Sequence, residues 1–215
     1  MWQNCRSRYH RCVTRPLPLA ASTALITMEL QRGVVGDLAS MPALRDVAIE
    51  KGTLLNCGRL ASAARRAGVP IIHAVVSWRA DRRGTATNTP LLASLAKNPE
   101  QMLEGTPAVE LIPELGESSN DLLSQRAHGL TPFTGTDLDA TLRSLGVTAL
   151  VPCGVSLNVG MLGLCLSAAD LGYELVLCRD STVGLPVAYG EQVIENTIAM
   201  LGAITSTDAL VQHWA

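Results

Sequence analysis

The chain has 215 residues, 47% hydrophobic and 17% charged, enough apolar content for a sizeable core and an economical fit to one α/β domain. A formal net charge of −2 leaves no basic face of the kind that nucleic acid or an anionic membrane requires, and no apolar run approaches the roughly 20 residues of a membrane helix. The six cysteines, Cys5, Cys12, Cys57, Cys153, Cys165 and Cys178, form no CxxC pair, so neither a disulfide framework nor a zinc site is expected, and a reducing, cytoplasmic compartment fits best.

Residues 1–20 carry Arg6, Arg8, Arg11 and Arg15, no acid, and the breakers Pro16 and Pro18. They read as a flexible basic arm or an extended translation start, because a signal peptide would need a continuous apolar stretch. Residues 21–215 then form the folded domain. Thr23–Glu29 reads as the first strand, and Leu44–Ala67 as one long helix stopped by Gly68 and Pro70. Pro70–Val76 is the second strand. Ser77–Glu104 is polar, rich in breakers and too long for a simple connection; loops of that length are commonly lids, binding segments or subunit contacts. A short strand at Asp121–Gln125 leads through Pro132 and Gly135 to a helix at Asp137–Leu145 capped by Thr136. Thr148–Cys153 is an apolar strand, Leu157–Leu171 a helix, Glu174–Arg179 a strand and Tyr189–Leu201 a helix. A short strand at Ala203–Thr205 and a helix at Ser206–Trp214 close the chain. Apolar strands separated by helices argue for a parallel sheet covered on both faces, with the active side at the carboxyl ends of its strands.

Four segments reach that side: Glu29, the His73–Ser77 end of the second strand, Arg126 with His128, and the Gly154–Gly160 turn. At the turn, a strand runs into a helix whose first free N–H groups carry partial positive charge, a platform for an anionic or carbonyl ligand. An arginine at a pocket edge can bind a substrate carboxylate, and a histidine can exchange a proton near neutral pH. Each is equally consistent with a surface charge or a loop anchor, and Glu29 with an acid that merely anchors the Gln31–Gly33 loop. No compact Asp/His spacing appears, so no metal or other cofactor is expected. Cys153 and Cys165 read as small core residues with thiols too buried to ionise.

MELQRG (Met28–Gly33), PFTGTDLDATLRSLGV (Pro132–Val147) and GVSLNVG (Gly154–Gly160), in this order, resemble the isochorismatase-like hydrolases, the cysteine hydrolase superfamily. The resemblance runs from Thr23 to the C-terminus. It implies a three-layer α/β/α fold, with a six-stranded parallel sheet of order 3-2-1-4-5-6 and helices on both faces, assembled into dimers or tetramers. The family's amidases use an Asp at the end of the first strand, a Lys before the GT motif and a Cys at the start of the helix after the glycine turn. Those places fall here on Glu29, on Ala127 or its neighbour Arg126, and on Gly160. The isochorismatase branch also carries Gly in the third place, and cleaves a vinyl ether with a strand-end acid and water.

The resemblance thus implies a hydrolase of a small organic substrate that needs no cysteine. Glu29 would be its general acid or base, and Arg126 and His128 its substrate contacts. It further implies a non-proline cis peptide at Val155–Ser156, with Ser156 and the Gly160 N–H facing a developing oxyanion and Asn158 lining the pocket. With no lysine beside it, Glu29 is expected to have its pKa pushed upward by burial, as a general acid near neutral pH needs. Two other functions remain open. One is a catalytically silent member that serves as a ligand-binding or oligomeric scaffold; the other is an amidase with a displaced nucleophile at Cys153, Cys165 or Ser156.

Overall fold

The computed structural model describes residues 16–215. Its strands are β1 (Thr23–Met28), β2 (Ile71–Val76), β3 (Leu122–Arg126), β4 (Ala149–Gly154), β5 (Glu174–Cys178) and β6 (Ala203–Thr205). They form one parallel sheet in the order β3-β2-β1-β4-β5-β6, the architecture expected from the sequence. The main helices are α1 (Pro42–Glu50), α2 (Thr53–Ala67), α3 (Pro90–Leu95), α4 (Leu138–Ser144), α5 (Gly160–Asp170), α6 (Val187–Val193) and α7 (Thr207–His213).

β1, β2 and β4 are buried along their whole lengths, because helices cover both faces and neither row of side chains reaches water. Leu25 of β1 packs with Leu44 of α1, Leu60 of α2 and Leu210 of α7. Its neighbours Ile26 and Met28 belong to the opposite layer, with Leu138 of α4, Leu164 of α5 and Val193 of α6. Of the arm expected over residues 1–20, residues 1–15 lie outside those described. Leu17 and Ala20 pack against the core, and the Pro18 carbonyl accepts a bond from His213 at 3.1 Å.

Three sequence expectations need correction. The helix expected at Leu44–Ala67 is two helices, broken at Gly52, whose φ of 68° is left-handed. Glycine takes that conformation without a Cβ clash, and the bend lets α1 and α2 bury their apolar faces in one core. The helix expected from Leu157 starts at Gly160, because Ser156 O captures the N–H groups of both Val159 and Met161 in a tight turn. The helix expected at Tyr189–Leu201 starts at Val187 and passes through a π-helical turn, Ile194–Ile198.

The long segment after β2 is an excursion closed at its base. Trp78 N–H donates to Met102 O at 2.8 Å, and Glu104 N–H donates to Trp78 O at 2.9 Å. Inside it lies α3, which begins with Pro90 and is capped by the Thr89 hydroxyl, an acceptor for Leu92 N–H. A proline at the first helical position loses no hydrogen bond there.

Candidate functional site

From the centre of the sheet, β2 and β3 continue to one side of β1, while β5 and β6 continue to the other side of β4. The crevice where the strand order reverses is the usual ligand site of such folds. Here it lies between the ends of β1 and β4, joined by a bond from Val155 N–H to Met28 O at 3.1 Å.

Glu29 is the first residue beyond β1 and has a φ of 52°. A left-handed conformation costs a residue with a Cβ about 1–2 kcal/mol, so something must hold Glu29 there. Its N–H donates to Ala74 O at 3.0 Å, and its carboxylate pairs with Arg126, the last residue of β3. Anchoring of the loop falls to Gln31 instead. That buried amide donates to Val76 O and Val109 O, and accepts from Val76 N–H, at 2.9–3.0 Å. Glu29 is therefore not needed as a loop anchor.

The ion pair corrects one premise of the sequence reading. Glu29 does have a cation beside it, the guanidinium of Arg126. Arg126 is 4% exposed against 19% for the Glu29 side chain. Burial pulls the guanidinium down to about 10, still well above neutral pH. Its Nη2 bonds Glu29, while Nε and Nη1 have no partner in the protein.

The turn after β4 forms the facing wall. Its Val155–Ser156 bond is cis. Val155 itself is buried in the core. The Ser156 hydroxyl donates to Asn158 Oδ1, and Asn158 Nδ2 donates to Leu185 O at 2.8 Å, which ties the turn to the loop after β5. Gly160 opens α5, and among the described residues its N–H has no backbone partner. A Cβ at Gly160 would come within 2.7 Å of Met28 Cε.

These groups share a cavity of about 220 Å³. Glu29, Arg126, Ser156, Asn158 and Gly160 line it, and the segment after β2 supplies the opposite wall through Trp78, Leu91, Leu92, Leu95 and Met102. The length of the 77–104 segment marked it as a candidate pocket wall, and the closure of the loop on itself brings these apolar residues to the strand ends. Arg126, rather than Ala127, reaches the cavity.

Other candidates lie elsewhere. His128 is exposed and does not line the cavity; its ring covers Gly135, where an added Cβ would come within 2.8 Å of it. His73 is a satisfied interior residue. Its Nδ1 lies 2.7 Å from the Thr27 hydroxyl and its Nε2 3.1 Å from Asp121, and burial lowers its proton affinity despite that carboxylate. Since Asp121 accepts only, Nε2 carries the proton and Thr27 donates to Nδ1. A wider groove of about 1100 Å³ passes His73 and Asp121, and holds none of the strand-end groups around Glu29.

No described cysteine lines the cavity. The Cys153 thiol is pushed up by the neighbouring Cys57 thiol and by burial, and burial pushes Cys165 up to about 12. Both are poor nucleophiles at neutral pH. Among the described residues, no group of three or more His, Cys, Asp or Glu side chains is placed to hold a metal ion.

Residues 23–209 match the isochorismatase domain. An isochorismatase family protein of uncharacterized function from Escherichia coli O157:H7, YecD, is 25% identical over 201 residues, covering 89% of this chain and 96% of its own. The ureidoacrylate amidohydrolase RutB of Agrobacterium fabrum is 29% identical over 187 residues, covering 78% and 80%. Among solved structures, an isochorismatase family protein from Desulfovibrio vulgaris superposes with a TM-score of 0.77 at 25% identity, over 89% of this chain and 97% of that one. The N-carbamoylsarcosine amidase of Thermoplasma acidophilum shares the fold at 18% identity, with a TM-score of 0.69 over 87% and 97%.

Proposed function

Because the chain belongs to the isochorismatase family, we propose that it is a hydrolase of a small organic substrate, working without a cysteine nucleophile and with Glu29 as its general acid or base. The observation that carries this reading is the placement of Glu29. A glutamate sits in a left-handed conformation that glycine would take more cheaply, and its carboxylate lines the cavity beside a buried guanidinium. Backbone conformations of this kind concentrate at functional sites.

Paired with Arg126, Glu29 acts first as the base. It takes a proton from a water in the cavity as that water attacks the scissile centre, then returns the proton to the leaving group. The Gly160 N–H at the start of α5 and the Ser156 side face the oxygen on which negative charge develops. Arg126 holds Glu29 in position through both transfers. The amidohydrolase activity in the names of curated relatives supports hydrolysis as the reaction type. A second reading, ligand binding without turnover, is favoured by the ion pair that already engages the Glu29 carboxylate.

A hydrolysis screen over vinyl ethers, amides and esters separates the two. Turnover lowered about 100-fold or more by Glu29→Gln supports the hydrolase, while turnover unaffected by that substitution removes Glu29 from the mechanism.

A further inference from the structure

The cavity walls hold few polar side chains, and almost all of them are already committed. Glu29 pairs with Arg126, and the other Arg126 nitrogens, Nε and Nη1, are closed off, as is the Trp78 indole N–H. The Ser156 hydroxyl donates to Asn158, whose own amide donates to Leu185 O at 2.8 Å. Ser40 is exposed to solvent. Gln101 differs from all of these. It lines the cavity in the wall formed by the segment after β2 and is only 6% exposed. Its side-chain amide bonds to no group among the described residues, and neither amide atom is shut off in the way of the Arg126 and Trp78 nitrogens. With nearly all of the residue covered, the amide opens onto the cavity.

The loop fixes where this side chain starts. Gln101 N–H donates to Asn98 O at 3.2 Å, and the next residue, Met102, supplies the carbonyl that takes Trp78 N–H at 2.8 Å and closes the excursion. Met102 has a φ of 48°, a left-handed conformation that a residue with a Cβ adopts only when its surroundings hold it there. They do so here: Met102 is buried, and its sulfur lies where a Cβ on Gly33 would come within 2.6 Å. Gln101 is therefore presented from a pinned backbone. Its carboxamide offers one acceptor and one donor side by side, the fork by which glutamine reads a planar edge carrying the complementary pair. The wall around it is apolar, from Leu91, Leu92 and Leu95 of α3. A polar group buried without a partner is costly, so a guest that covers the amide and leaves it unpaired is selected against.

We propose that Gln101 is a specificity-determining residue of the cavity. It pairs with a neutral planar group that carries an N–H beside a C=O, as in a lactam or a primary amide, at the end of the guest away from Glu29. The inference rests on the hydrolase reading only in sharing its cavity, and it names which end of the substrate is read rather than which bond is broken. A charged end matches half of the fork: a carboxylate has no donor for Oε1, and an ammonium has no acceptor for Nε2. A hydrocarbon end matches neither half.

ε-Caprolactam and cycloheptanone test this, because they share a ring and a carbonyl and differ by an N–H replaced with CH2. Titration of the full chain with each, followed by ligand-observed NMR, should show the lactam binding at least about tenfold more tightly, the discrimination that a buried hydrogen bond supplies. Gln101→Leu, similar in volume, should erase that preference. Its melting temperature separates recognition from support: an amide without partners holds nothing together, so the variant should melt no lower than the unsubstituted chain. Equal affinity for lactam and ketone, no binding of either, a preference that survives Gln101→Leu, or a clear loss of stability in that variant overturns the proposal. A lactam preference that depends on Gln101, in a chain whose turnover ignores Glu29→Gln, would sink the hydrolase mechanism and leave this inference standing. Loss of turnover in Glu29→Gln with no preference for the lactam would do the reverse.

Discussion

Removing the Glu29 charge strands the Arg126 guanidinium, and that cost can be worked out from the geometry. Breaking a buried pair by deleting one partner costs about 3–5 kcal/mol, because the surviving charge keeps its desolvation penalty. Arg126 is 4% exposed and Glu29, facing the cavity, 19%, and glutamine still offers one acceptor. Glu29→Gln therefore belongs at the low end, about 3 kcal/mol. For a chain of this length each kcal/mol moves the melting temperature by about 2–4 °C, so a loss of about 6–12 °C is expected. Arg126→Met in the Glu29→Gln background removes the stranded charge. The double variant should then be clearly more stable than the sum of the single losses implies, with a coupling of about 1 kcal/mol or more. Urea denaturation of the four proteins, followed by circular dichroism, measures this. Losses that add to within about 0.5 kcal/mol would show that the two side chains do not depend on each other.

Gly160 and Gly58 give opposed expectations. At Gly160 the added Cβ of Gly160→Cys meets the far end of the Met28 side chain at 2.7 Å, whereas at Gly58 it meets the backbone carbonyl of Glu114 at 2.2 Å. Helix propensity alone would have Gly58→Ala stabilise by about 1 kcal/mol, but the clash with backbone leaves no room for relief. Gly58→Ala should lower the melting temperature more than Gly160→Cys, and the reverse order would refute the packing described. Because burial lowers the proton affinity of His73 below its ordinary 6.5, the unfolded chain binds the proton more readily. That contribution to stability is complete above pH 6.5 and fades as the pH falls below it, with a slope of at most about 1.4 kcal/mol per unit. His73→Gln should flatten the stability profile in that window; an unchanged profile would show that His73 titrates normally. Iodoacetamide should leave turnover intact, since no described thiol lines the cavity; loss of turnover would point to a displaced thiol nucleophile.

The sheet was legible because its strands are short apolar runs between helical patterns, and their order followed from the resemblance carried by Met28–Gly33, Pro132–Val147 and Gly154–Gly160. Gly52 was less legible. A glycine inside an amphipathic stretch reads as a tolerated helical residue, and only its left-handed backbone shows the break. The approach of Arg126 to Glu29 spans 97 residues, and it depends on β3 and β1 flanking β2, which no local pattern records. The position of His128 was equally hidden. Two residues beyond Arg126, the chain has left the strand and turned its imidazole over Gly135 instead of the cavity. Gln31 stood in the quoted MELQRG motif, yet its role as the loop anchor needs the carbonyls of Val76 and Val109 in place.

The most direct test of the central claim is kcat for Glu29→Gln and Glu29→Asp on the best substrate from the hydrolysis screen, measured at a temperature where circular dichroism shows both variants folded. If Glu29 moves the proton, glutamine should lower kcat by about 100-fold or more, while aspartate, a methylene shorter but still a carboxylate, keeps much of it. Turnover by Glu29→Gln equal to that of the unsubstituted chain would contradict the role assigned to Glu29.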